Sequence, residues 1–356
     1  MDGTHLNNKI GIVGGGITGL ISAYFLSLEG YKVDLYEKKT LLSETSSKTT
    51  KLIHGGIRYL ENLQFHEVKN GINDRKWWLE NFPDETKLQE IIILSKKKLS
   101  PEIFKFFFGI KVYETFAGRS NIKTGRLYKQ DDLLSLGIKN NISAGISFYD
   151  GLMQESVGQE IIKRCKSNGV NFYENNEIKS IRSEGRIEEK RYKKIIIATG
   201  PWASSFLKQN KIDTNKTIDY VKGSHLIINR KIKKGLMFRD QKKHRYIFAL
   251  PYQGNLLIGT TEQRVRSPED NHVLDSEVNY LLESINIYID RPINKDEIIK
   301  SYSGVRPLIK TKAQDFHSSS RDFYIQKDHN LLSLFGGKWT TAPSIARNIV
   351  RIVNNE

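Results

Sequence analysis

The run "KIGIVGGGITGLISAYFLSLEGYKVDLYEKK", residues 9–39, narrows the choice of fold more than any other stretch. Residues 9–13 read as a short apolar strand. Ile17 to Leu28 carry apolar residues at helical spacing, and after the Gly30 break Val33, Leu35 and Tyr36 begin a second strand. Gly14, Gly16 and Gly19 hold the G-x-G-x-x-G positions between strand and helix, with Gly15 and Thr18 in the same turn. The first glycine permits a tight turn, the second lets backbone approach a pyrophosphate, and the third lets helix and strand pack closely. The helix N-terminus then faces the phosphates. Glu37, with Lys38 beside it, ends the second strand 18 residues after Gly19, where an acid accepts from a ribose 2′-hydroxyl. Strand, glycines, helix, strand and acid together imply a dinucleotide site. The acid opposes a 2′-phosphate and so NADP; NAD and FAD both remain.

A chain of 356 residues is long enough for about two domains. No stretch reaches the roughly 18 apolar residues of a membrane span. The N-terminus enters the first strand without signal-peptide architecture, and Cys165 is the only cysteine. An internal disulfide and a cysteine-based metal cluster are thereby excluded, and a reducing, cytoplasmic setting is expected. The net charge of +16 suggests an anionic partner. The basic residues are scattered and gather in no single tract, which argues against nucleic acid. No His, Asp and Glu spacing makes a metal site.

Shortly after Glu37 comes "TSSKTTKLIHGGIRYLE", residues 45–61. It resembles the segment after the dinucleotide fold in FAD-dependent glycerol-3-phosphate dehydrogenases, members of the D-amino-acid-oxidase-like flavoprotein group. The resemblance continues in order through "IIIATGPWA" (195–203), "VKGSHLII" (221–228), "LIGTTE" (257–262), "YSGVRPL" (302–308), "SSRDFYI" (319–325) and "LFGGKWTT" (334–341). It implies FAD as cofactor, with Thr45, Ser46, Ser47, Lys51, Leu52, His54, Gly55 and Gly56 around the flavin. Ala198, Gly200, Gly336, Gly337, Lys338 and Thr340 complete that set. The physics agrees: hydroxyls suit a diphosphate and ribityl chain, and paired glycines let backbone lie against a planar ring.

The resemblance also implies an α/β architecture. A discontinuous Rossmann-like FAD-binding domain takes residues 1–65, 148–218 and 318–356, with a parallel sheet covered by helices on both faces. An α+β substrate domain with a mostly antiparallel sheet takes 66–147 and 219–317. Helices are expected around Glu155–Lys166 and Pro343–Val353, and strands at Val170–Tyr173 and 195–198. Stretches such as "SHLIINR" and "RYIFALPY" alternate like antiparallel strands. The group usually continues into a helical C-terminal domain, and this chain is expected to lack it.

Oxidising a phosphorylated alcohol by flavin needs a hydride acceptor, cations for the dianion and an acceptor for the hydroxyl proton. The resemblance places Arg58, Arg321 and Lys338 near phosphate or flavin, Arg306 near the reacting hydroxyl, and Tyr59 in the substrate cavity. Thr260 and Thr261 supply positioning hydroxyls. His225 and His54 are the candidate proton acceptors, His225 preferred. His66, His244, His272 and His317 stay unassigned. Two stretches depart from the group: "YDGLMQESV" stands for an Asp-Ala-Arg-Leu run, and Ala342 and Pro343 replace Tyr-Arg after Thr-Thr.

The expected reaction is oxidation of sn-glycerol 3-phosphate to dihydroxyacetone phosphate, with electrons passed to quinone. An amino- or hydroxy-acid oxidase and a non-catalytic flavin-binding relative are the alternatives. Residues 96–116 set Phe104, Phe106, Phe107, Phe108 and Val112 beside Lys96–Lys98, Lys105 and Lys111. That pattern suits shallow contact with an anionic membrane surface, on the cytoplasmic face of the inner membrane.

Overall fold

The computed structural model describes residues 8–57, 65–97, 101–117, 124–240, 245–310 and 323–356. Two sheets organise it. The six-stranded sheet runs Phe323–Asp328, Leu331–Gly336, Lys194–Ile197, Lys9–Val13, Lys32–Tyr36 and Asn171–Tyr173. Its pairings are parallel except at one edge, where Phe323–Asp328 returns antiparallel beside Leu331–Gly336. The expected parallel sheet thus carries one antiparallel edge strand, because a short turn links these last two strands and only an antiparallel return fits one.

Helices Ile17–Leu28, Val157–Ser167 and Ala342–Asn355 bury their apolar sides on one face of this sheet, around Leu20, Ile161 and Ile349. The other face packs on Ala203 and Leu207 of the helix Ala203–Gln209. Cys165 lies fully buried, its thiol against the Leu20 carbonyl at 3.5 Å, and burial pushes its pKa up to about 12.

The ten-stranded sheet is antiparallel except where Gly235–Arg239 runs parallel to Thr86–Ser95. Ile218–Ile228 pairs along its length with Ile298–Ile309, aligning Gly223 with Gly304 and Val221 with Arg306. Helix Asp275–Asn286 covers one face through Leu281 and Ile285.

The chain crosses between the two bodies at places other than those expected. Position 148 falls inside the strand Ala144–Met153 of the ten-stranded sheet, which also takes Leu52–Ile53 from the first segment. Helix Phe65–Asn81 sends Trp78 into the core beneath the six-stranded sheet, where it meets Trp339 at 5.3 Å between ring centroids. Helix Pro101–Ala117 leaves Phe104, Phe107 and Phe108 exposed, whereas Phe106 and Ile110 are buried. Phe106 therefore belongs to the core and not to the expected aromatic surface.

Candidate active site

One cavity of about 700 Å³ lies between the sheets. At its far end the first strand stops at Gly14, whose φ of +109° turns the chain across the end of Lys194–Ile197. A Cβ there would stand 2.5 Å from the Ala198 carbonyl oxygen. One on Gly19 would stand 2.0 Å from that of Gly14, so helix and strand meet without side chains between them. The Gly16 end of the helix faces the cavity, and the Ile17 amide donates to the Ser46 hydroxyl at 3.0 Å. Glu37 accepts from the amides of Gly15 at 2.7 Å and Lys39 at 2.9 Å. Its carboxylate so braces the glycine turn and keeps lone pairs for a ribose hydroxyl.

Four stretches distant in sequence are stitched across this end. The Trp339 indole donates to the Ser46 carbonyl at 2.8 Å, and that of Trp78 to the Thr340 carbonyl at 3.1 Å. The Thr45 hydroxyl donates to the Val305 carbonyl at 3.1 Å, and the Tyr302 hydroxyl to that of Thr49 at 2.8 Å. Thr18, Lys38, Leu52, His54, Gly56, Gly200, Gly336, Gly337, Lys338 and Thr340 line the cavity as well.

Three expected cofactor residues stand behind that wall. The Ser47 hydroxyl donates to carbonyls of its own turn, Ser43 and Glu44. The Lys51 ammonium donates to the Ser47 carbonyl at 2.8 Å beneath the Tyr252 ring, and burial lowers its pKa to about 8. The Gly55 amide donates to Asp150 at 2.9 Å, and Asp150 pairs with buried Arg75 at 3.0 Å. These groups are engaged by their neighbours and brace the lining from outside.

At the ten-stranded sheet the cavity meets His225, Thr260, Arg306 and two groups the sequence reading did not assign, Arg245 and Glu262. A Cβ on Gly223 would lie 2.2 Å from the Thr260 hydroxyl and 2.6 Å from Arg306 Nη2, so its bare backbone makes the room both occupy. Arg306 Nη2 donates to the Thr261 carbonyl at 3.1 Å. Glu262 stands 3.8 Å from Arg306 Nη1 and 3.8 Å from Arg245 Nε. The Thr261 hydroxyl turns away from the cavity. It donates to Glu277 at 2.6 Å and accepts from the Ser224 amide at 2.8 Å, while Glu277 pairs with buried Lys222 at 2.8 Å.

His225 stacks on Tyr302 and exchanges a hydrogen bond between Nε2 and the Thr50 hydroxyl at 2.9 Å. Burial, reinforced by Arg306, Lys51 and Arg245, lowers its pKa to about 3. The ring is neutral at physiological pH and resists protonation, a restraint on the expected proton acceptor. Arg58, Tyr59 and Arg321 lie outside the described residues.

The donor set fits a flavin dinucleotide. Glycine backbone, a helix N-terminus and hydroxyls line one end, and the buried Thr199 hydroxyl on the wall has no partner among the described residues. Residues 9–352 match the family described as DAO, FAD dependent oxidoreductase. The chain belongs to this family.

This FAD-dependent oxidoreductase is 28% identical over 375 residues to a glycerol-3-phosphate dehydrogenase of Pseudomonas tolaasii, covering 95% of this chain and 70% of that protein. It is 29% identical over 368 residues to an aerobic glycerol-3-phosphate dehydrogenase of Staphylococcus saprophyticus, covering 96% of this chain and 66% of the relative. The chain thus spans about two thirds of the length of such relatives. Among solved structures, the L-alpha-glycerophosphate oxidase of Mycoplasma pneumoniae with FAD bound matches at a TM-score of 0.77 and 20% identity, over 97% of this chain and 94% of that one. The glycerol-3-phosphate dehydrogenase of Bacillus halodurans complexed with FAD matches at 0.75 and 21%, over 98% and 64%. These likenesses establish the fold of the oxidoreductase, both sheets included.

Proposed function

We propose that this oxidoreductase oxidises sn-glycerol 3-phosphate to dihydroxyacetone phosphate. The observation that carries the reading is the meeting of Arg306, Arg245, Lys338 and Thr260 in the cavity that also holds the dinucleotide cradle. The names of the sequence relatives point the same way. When bound, FAD supplies the acceptor for the hydride leaving the substrate carbon.

The chain's own residues do the rest. Arg306, which donates to the Thr261 carbonyl and stands beside Glu262, presents its guanidinium to the substrate oxygen from the cavity wall. Lys338, with Arg58 and Arg321 from the resemblance, neutralises the phosphate. His225, its basicity lowered first by burial and then by the neighbouring cations, enters neutral, the form that accepts the hydroxyl proton, and the substrate dianion offsets those cations. His54 on the cavity wall orients the reacting end.

Anaerobic titration of the holoprotein tests this directly. sn-Glycerol 3-phosphate should bleach the flavin absorbance, while lactate, glycine and other amino or hydroxy acids should not. Bleaching by one of these acids, with none by glycerol 3-phosphate, would sink the reading.

We further propose quinone as the electron acceptor, reached from a membrane surface. No helix among the described residues is long and apolar enough to cross a membrane. What supports the surface reading is the exposure of Phe104, Phe107 and Phe108 on Pro101–Ala117, with Lys111 beside Phe107, on a chain of net charge +16.

A further inference from the structure

We infer that Glu262 sets the charge pattern of the substrate, admitting a neutral hydroxyl end beside Arg306 and rejecting a carboxylate there. The inference rests on the reading that this cavity takes a phosphorylated alcohol, and it names what the opposite end of that molecule must be.

Two arginines on one wall would by themselves make a fork for a carboxylate or a second phosphate. Glu262 stands between them, 3.8 Å from a nitrogen of each, with its side chain 10% exposed. An anionic group offered to Arg306 therefore meets a resident anion. In a cavity walled by protein that repulsion is poorly screened. A hydroxyl brings no charge: it can accept from Arg306 and donate to Glu262 together.

The backbone that carries Glu262 is held in place. Its neighbour Thr261 is held through both backbone and side chain: the amide donates to the Ser224 carbonyl at 3.1 Å, the hydroxyl to Glu277 at 2.6 Å. Glu277 is itself fixed by Lys222, which is 2% exposed. The Thr261 carbonyl takes Arg306. The buried Lys222–Glu277 pair thus anchors the segment from which Glu262 projects.

The test compares ligands that differ only at that end, read by perturbation of the flavin spectrum in the holoprotein as well as by turnover. Wild type should bind 3-phosphoglycerate about tenfold or more weakly than its methyl ester, which keeps the shape and removes the charge. Glu262→Gln should close most of that gap, and Glu262→Asp should restore it. Equal affinity of wild type for acid and ester, or a gap unchanged in Glu262→Gln, overturns the inference even where glycerol 3-phosphate is oxidised normally. Failure of wild type to bind glycerol 3-phosphate at all overturns the substrate reading and this inference with it. The wild-type comparison needs no variant to fold.

Discussion

At His225, burial and charge act in the same direction. An imidazole taken from water beside Arg306, Lys51 and Arg245 resists a second proton, and its pKa falls from the ordinary 6.5 to about 3. Above pH 6.5 folded and unfolded chains both hold this ring neutral. Between 6.5 and 3 the unfolded chain takes a proton that the folded one refuses, so stability is lost as pH falls. The site alone should remove about 3 kcal/mol between pH 7 and pH 4. His225→Gln should flatten that part of the urea-midpoint profile; an unchanged slope would place the acid sensitivity elsewhere. Arg306→Ala should retain flavin and lower turnover by on the order of 2–4 kcal/mol in the transition state. Near-normal turnover with FAD bound would remove Arg306 from its proposed role. Residue-scale legibility was uneven. Arg306 and Thr260 stood in recognisable motifs beside small residues. Arg245 stands in no recognisable motif, and its ion pair with Glu262 joins residues that flank two separate strands, Tyr246–Tyr252 and Gln263–Val265. Asp150 sat in a quoted stretch, but no local pattern announces that its carboxylate takes a glycine amide from the first segment.

Among the elements, the strand–helix–strand unit at the N-terminus was the most legible, because its signals are local. Apolar spacing, glycines and the terminal acid all fall within residues 9–39. Its tightest point supplies a test. Gly19→Ala would put a methyl 2.0 Å from the Gly14 carbonyl oxygen, and the helix Ile17–Leu28 would have to lift from the turn. We expect overpacking of about 1–3 kcal/mol and loss of bound FAD, seen as a fall in visible absorbance relative to protein absorbance. Full flavin content in a folded Gly19→Ala protein would show that the close approach is dispensable. The pairing of Ile218–Ile228 with Ile298–Ile309 was not legible. Alternation identifies each as a strand but carries no information about partner or register, and these partners lie some seventy residues apart. That register nevertheless brings Gly223 beneath Arg306. The mixed edge of the six-stranded sheet escaped prediction for the same reason.

On the scale of the whole molecule, segments expected in different domains meet in one core. Trp78 comes from a segment assigned to the substrate body and helps build the core under the six-stranded sheet. Hydrophobic periodicity says that such a helix buries one face without saying against what. Across the exterior, the exposed aromatics of Pro101–Ala117 and the net charge predict association with anionic vesicles at low salt. It should weaken as the screening length contracts to ~3 Å near ~1 M salt. Replacing Phe104, Phe107 and Phe108 by serine should reduce flotation while leaving flavin bleaching intact. Rapid peroxide formation without vesicle binding at low salt would instead describe an oxidase acting away from membranes.

The sealed thiol of Cys165 makes that exterior accessible to optical chemistry. With its pKa pushed up to about 12 and its sulfur buried against the Leu20 carbonyl, it offers maleimide reagents almost no thiolate at neutral pH. The native chain is therefore a silent background for thiol labelling. A protein carrying Phe108→Cys would take a single environment-sensitive dye, at the position where lipid is expected to replace water. A blue shift of its emission on adding anionic vesicles would report contact residue by residue, with no native cysteine to remove first.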